Sequence, residues 1–144
     1  MFRLFMITFF LVPAQLWAAE TITLTQTACQ FIESEYGDQH YKAHSYTACE
    51  SLNHKTEDER LAKAKVLKLK AGEYTFHVIN KDVPYVLGFW LRGTGLARLT
   101  LPSTSGGGIE TGGYKDYTIK LKAGEYVYSC PLNPTPDYKL IVLP

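Results

Sequence analysis

Apolar and polar residues alternate along much of this chain, the two-residue period of strands that bury one face. Lys68-Leu69-Lys70 alternates, Ala71-Gly72 makes a turn, and a second alternating run, Tyr74-Thr75-Phe76-His77-Val78-Ile79, follows. The same Lys-Leu-Lys-Ala-Gly-Glu-Tyr string recurs at 120–126 and continues as Val127-Tyr128-Ser129-Cys130. Two copies are too few for a solenoid and predict two similar strand–turn–strand corners of one β-sandwich. Superposing them gives sidedness. Tyr74, Phe76 and Val78 align with Tyr126, Tyr128 and Cys130 and should face the core, with His77 and Ser129 on the other face.

Further strands are predicted at 21–27, 85–91, 97–101, 117–121 and 138–143. Turn-rich stretches at 92–95, 103–108 and 112–113 separate them, and Ser105-Gly106-Gly107-Gly108 reads as a flexible hairpin tip. The segment 31–65 departs from this pattern. It is polar and strand-poor, an insertion after the first strand. Within it Thr56-Glu57-Asp58-Glu59 has the form of a capping box, and Lys63 and Lys65 suit a helix C-terminus. A short helix is expected over 57–64 with Thr56 as N-cap. The fold class is all-β.

The N-terminus reads differently again. Arg3 precedes an apolar run at 4–12, Pro13 breaks it, and Leu16-Trp17-Ala18-Ala19 offers small residues for cleavage. This is the layout of a secretory signal peptide, and the run is short of the ~20 residues a membrane span needs. Residues 1–18 are therefore expected to be removed, leaving a domain at 19–144 in the periplasm with no membrane span and no lipid anchor. Removal takes away Arg3 and both methionines, Met1 and Met6, so that basic and acidic residues balance. A neutral domain offers no electrostatic footprint for nucleic acid. Three cysteines remain, Cys29, Cys49 and Cys130, and an oxidising compartment favours one disulfide and one thiol. Two pairings stay open. Cys29–Cys49, which would clip the insertion to the first strand, comes first, and Cys29–Cys130 is the alternative.

Phe76-x-x-x-Asn80-Lys81-Asp82-Val83-Pro84 resembles the cupredoxin strand and loop that lead to the first copper-binding His. Tyr126-x-Tyr128-x-Cys130, followed by Lys139-Leu140-Ile141-Val142, resembles the strand with the copper Cys, its ligand loop and the closing strand. The resemblance covers about 66–143 and is nearest to cupredoxin domains of periplasmic iron-uptake systems of the Efe and Ftr kind. It implies a cupredoxin-like Greek-key β-sandwich. A blue-copper centre takes two His, a Cys thiolate and a weak axial ligand, usually Met. Here Tyr85 stands where the family has its first His, and 131–138 contains neither His nor Met. The copper site is degenerate, with Cys130 its one retained ligand.

The remaining candidates for metal lie in the insertion. His40 and His44 are four apart, with Glu33, Glu35, Glu50 and His54 nearby, a set that suits Cu(II) or Zn(II). The cofactor that this leaves room for is copper outside a type-1 site. In the cupredoxin arrangement Tyr85, Trp90, Arg92 and Pro134 would lie at one end of the sandwich, the docking face of blue-copper proteins. Aromatics and Arg are also what interfaces favour. No nucleophile–base pair is readable. The sequence thus points to a non-enzymatic accessory or binding protein, linked to metal handling and meeting a periplasmic or membrane partner. The rival is a metal or electron carrier using Cys130 with insertion histidines.

Overall fold

The computed structural model describes residues 18–144, so nearly all of the expected signal peptide lies outside the described residues. Among the described residues, nine strands, one α-helix and one 3-10 helix follow in the order β1 (Glu20–Thr27), β2 (Gln30–Phe31), α1 (Tyr46–Lys63), β3 (Leu67–Lys70), β4 (Gly72–Asn80), β5 (Leu87–Gly93), the 3-10 helix (Gly95–Leu99), β6 (Thr104–Ile109), β7 (Tyr114–Leu121), β8 (Gly124–Ser129) and β9 (Tyr138–Leu143). A four-stranded sheet in the order β2-β1-β4-β7 packs on a five-stranded sheet in the order β3-β9-β8-β5-β6. The pairs β1/β4 and β3/β9 are parallel and the others antiparallel. Among the described residues no helix is long and apolar enough to cross a membrane.

The repeated string makes two of the corners at which the chain changes sheet. The first copy passes from β3 in the larger sheet to β4 in the smaller, and the second returns from β7 to β8. Gly72 and Gly124 turn these corners at φ 159° and 155°, a region that favours glycine. Each corner is locked by its tyrosine. The Tyr74 hydroxyl donates to the Lys70 carbonyl at 2.9 Å, and the Tyr126 hydroxyl to the Lys122 carbonyl at 2.8 Å. Each such bond contributes on the order of 1 kcal/mol. The inward set Tyr74, Phe76, Val78, Tyr126, Tyr128 and Cys130 is buried. Burial pushes the Tyr128 phenol up to about 12. His77 lies on the outer face, paired with Asp116 at 2.6 Å. Ser129, expected beside it on an outer face, is buried because Arg92 folds over it and donates to its hydroxyl at 3.1 Å.

Four expectations need correction. The run 97–101 is no strand. The chain there closes on itself as the 3-10 helix, with the Thr100 amide donating to the Ala97 carbonyl at 3.1 Å. The glycine-rich 105–108 is no flexible tip but part of β6. Its glycines permit close approach, since a Cβ on Gly88 would meet the Gly106 carbonyl oxygen at 2.7 Å and one on Gly106 would meet the Tyr117 ring at 3.1 Å. Phe31, expected to open the polar insertion, is fully buried and makes edge contacts with Phe89, Tyr128 and Tyr138 at centroid distances of 6.2, 5.7 and 6.0 Å.

The helix is also longer than 57–64. Ser45 caps it, accepting from the Ala48 amide at 3.2 Å, and Thr56 lies within it, donating back to the Leu52 carbonyl at 2.7 Å. Only Cys49 and Arg60 are buried along its length. They lie three turns apart on one face. Cys49 is joined to Cys29, and Arg60 is paired with buried Glu35. Two point anchors thus hold a helix that has little apolar face to bury.

Candidate functional site

The end of the sandwich where β8 leads into residues 130–137 is the place the sequence singled out. Cys130 is fully buried there. The Gly88 amide donates to its sulfur at 3.4 Å, and its own amide donates to the Thr135 hydroxyl at 3.1 Å. Burial pushes the thiol pKa up, opposed by hydrogen bonds from the Gly88, Leu132 and Asn133 amides and the Gln26 side chain. The loop is laced to the end of β1 by side-chain amides. Asn133 donates through Nδ2 to the Thr27 carbonyl at 2.8 Å and to Gln26 Oε1 at 3.3 Å, and its Oδ1 accepts from the Cys29 amide at 2.8 Å. Gln26 Nε2 donates to the Gly88 carbonyl at 2.9 Å. Gln26 and Asn133 are both 0% exposed. Asn80, equally buried, donates to the Val83, Tyr85 and Ile109 carbonyls at 3.2, 3.0 and 3.2 Å and pins the loop that resembles the approach to the first copper His.

Sequence reasoning missed Gln26 and Asn133 and saw Asn80 only through the family resemblance. A signal was present. Gln26 is in phase with Ile22 and Leu24, and Asn80 is in phase with Tyr74, Phe76 and Val78. An amide at an inward position demands internal partners. Nothing comparable marks Asn133, whose partners lie 104 to 107 residues away.

The candidate ligands are not brought together. Cys29 and Cys49 are joined, with Cα atoms 5.0 Å apart, and Cys130 is free. His40 and His44 line one cavity of about 340 Å³ with Asp38 and Asp82, and Cys130 does not line it. His54 is exposed on α1, away from that cavity. Among the described residues no three of His, Cys, Asp and Glu converge as a metal site. Glu33 is used otherwise, accepting from the Thr25 amide at 2.7 Å. The candidate partner residues are also less free than expected. Arg92 is buried, bonded to both oxygens of Asp137 at 2.8 Å and stacked 3.7 Å from the centre of the Trp90 ring. Tyr85, Trp90 and Pro134 are half-buried. The Tyr85 hydroxyl is buried without a partner, and burial, with a smaller effect from Cys130, pushes its pKa up. Instead, Val86 and Leu132 are the apolar side chains exposed at this end. Leu132 borders a cleft of about 320 Å³ with Phe89, Trp90, Gly106 and Pro131.

No family model matches the sequence, and no curated protein matches it. Among solved structures the chain is similar to auracyanin B, a cupredoxin, with a TM-score of 0.55 and 12% identity over 91% of this chain and 94% of that one. The fold is cupredoxin-like. At this identity the likeness concerns architecture, and the metal question falls to the residues present. They do not fit a type-1 copper ion. Cys130 is buried among amide side chains and backbone, and no histidine is among the buried residues described. A thiol so placed is a core residue. Iodoacetamide should therefore leave Cys130 unlabelled in native protein at pH 7 to 9 and label it fully in denaturant, as peptide mapping would show. Rapid native labelling would contradict the burial of the thiol.

Proposed function

We propose that the chain is a non-enzymatic, periplasmic cupredoxin-like accessory protein that works by docking a protein partner at the Cys130 end, in the service of metal handling. The observation that carries this reading is the contrast at that end. The interior is closed by Gln26 and Asn133, while Leu132, 43% exposed, borders an apolar cleft and Val86, just before β5, is 39% exposed. Exposed apolar groups around a cleft are what transient interfaces use. The resemblance to domains of iron-uptake systems supports the metal-handling context, and the Cys29–Cys49 bridge suits an oxidising compartment.

A rival surface tests the reading. Leu96 and Leu99 are 85% and 82% exposed on the 3-10 helix at the opposite end, where the Thr94 amide bonds the Glu125 carbonyl near the start of β8. A photo-crosslinking residue at position 132 or 86, expressed in the native host, should give one discrete protein adduct, absent when the residue is at position 99. Adducts from 99 alone, or none from 86 and 132, would refute docking at the Cys130 end.

A second reading is favoured by the cavity that His40 and His44 share. It would hold Cu(II) or Zn(II) on two imidazoles and water, weakly and without Cys130. The double variant His40→Ala/His44→Ala should then lose binding by titration calorimetry while Cys130→Ser keeps it. Equal binding by wild type and the double variant removes this reading.

A further inference from the structure

One edge of β1 is left open over most of its length. On one side β1 pairs with β4 from Glu20 to Gln26, while on the other β2 reaches only Gln26 and Thr27. One residue further along β1, the Thr25 carbonyl accepts from the Ile32 amide at 2.9 Å, and the Thr25 amide donates to the Glu33 carboxylate at 2.7 Å. Backbone groups along a strand point to alternate sides, so those of Thr23 and Thr21 aim the same way as those of Thr25. Among the described residues nothing pairs with them. The other sheet edges are guarded, as exposed edges usually are. β3 carries Lys68 and Lys70, and β7 carries Lys115, Asp116 and Lys120. On β6 the Gly106 and Gly107 carbonyls accept from the Tyr117 hydroxyl and Lys115 Nζ, each at 2.8 Å. Thr21-Ile22-Thr23-Leu24 has no charge, no proline and no bulge.

A groove of about 250 Å³ runs beside this edge. Ile22, Leu24, Leu67 and Tyr128 give it an apolar lining, and Lys65 and Glu33 are its charged members. Ile22 shares the inward face with Leu24 yet is only half-buried. An extended segment would complete the edge if its amides matched Thr21 and Thr23 and its inward side chain were apolar. β1 itself meets that description. Laid antiparallel on a second copy about a two-fold axis at Ile22, it sets Thr21 against Thr23 of the second copy, and Thr23 against Thr21, as hydrogen-bonded pairs. Threonines placed opposite one another stabilise such a pair. The two Ile22 side chains then meet on the inward face. Glu20 of the second copy falls opposite Leu24 on that same face, where Lys65 lines the groove. Glu33, the acid in the lining, already serves the Thr25 amide. In this register the pairing spans Glu20 to Leu24 and stops just short of the Thr25 groups that are already bonded.

We propose that the chain self-associates as a two-fold dimer through its β1 edges, joining the smaller sheets of two copies into one. The dimer is independent of docking at the Cys130 end. Sedimentation equilibrium of the purified protein should show a reversible dimer with a dissociation constant on the order of 10–100 µM, as suits a small interface. Exchange of the Thr21 and Thr23 amides should slow as protein concentration rises. Both side chains are exposed, so variants there should fold normally. Thr21→Lys/Thr23→Lys sets lysine against lysine twice across the axis and should weaken the dimer at least fivefold. Thr21→Glu/Thr23→Lys sets glutamate against lysine twice and should dimerise at least as tightly as wild type. The proposal is overturned by a protein still monomeric at about 1 mM, or by a dimer that both variants leave unchanged or weaken alike. It is also overturned by exchange at the two amides that does not depend on concentration. Slow exchange of that kind would mean that residues before 18 cover the edge instead.

Discussion

Replacing Arg60 by Met should lower the stability of the protein by about 3–5 kcal/mol, because it strands the Glu35 carboxylate in the interior. Glu35 and Arg60 side chains are 6% and 7% exposed, so water cannot take the lost partner's place. Two tyrosine hydroxyls would remain on the carboxylate, but no cation. The same change removes one of the two anchors of α1, leaving the Cys49 bridge. Hydrogen exchange in the last turns of the helix should therefore rise more than exchange in β4 or β8. The double variant Arg60→Met/Glu35→Gln should recover a large part of the loss, since removing both charges avoids the unpaired one. Urea unfolding of the single and double variants measures this. A loss under 1 kcal/mol in the single variant would mean that Glu35 is not held as a buried charge.

Asn133→Ala should cost about 2–4 kcal/mol and also change chemistry at the Cys130 end. Asn133 pairs the Cys29 amide and the Thr27 carbonyl, and each buried group left without a partner costs roughly 1–3 kcal/mol. Its loss also unties residues 130–137 from β1. Cys130 should then react with iodoacetamide in the absence of denaturant, at a rate at least tenfold above wild type. Stability within 0.5 kcal/mol of wild type (about the spread of ordinary surface changes), with Cys130 still protected, would contradict the role given to the amide lacing.

Much of the sandwich was legible because its strands bury one face. The repeated string gave both corners and the inward residues of β4 and β8, and the terminal strand was placed at its observed bounds. The helix was not legible in full. Residues 46–55 carry no apolar stripe, and what holds them, a disulfide and an ion pair, leaves no period in the sequence. The 97–101 run alternates, yet a strand also needs a neighbour, and these residues bond among themselves instead. At the candidate site, Cys130 could be singled out from the family resemblance. Its environment could not, because Gln26, Cys29 and Asn133 come together only when the two ends of the chain meet at one end of the sandwich. Arg60 and Arg92 were obscured for a related reason. Arginine is ordinarily an exposed residue, and burial of these two depends on the partners Glu35 and Asp137, 25 and 45 residues away.

Cu(II) added to the purified protein, with Cys130 reduced and the Cys29–Cys49 bridge intact, bears most directly on a cupredoxin-like domain closed at its ligand position. Visible absorption should show no intense thiolate-to-copper band near ~600 nm, because two imidazoles are needed beside the sulfur and none is buried there. The spectrum of Cys130→Ser with Cu(II) should match that of wild type. A blue protein whose colour is lost in Cys130→Ser would contradict the account and show that histidines reach the thiolate after all.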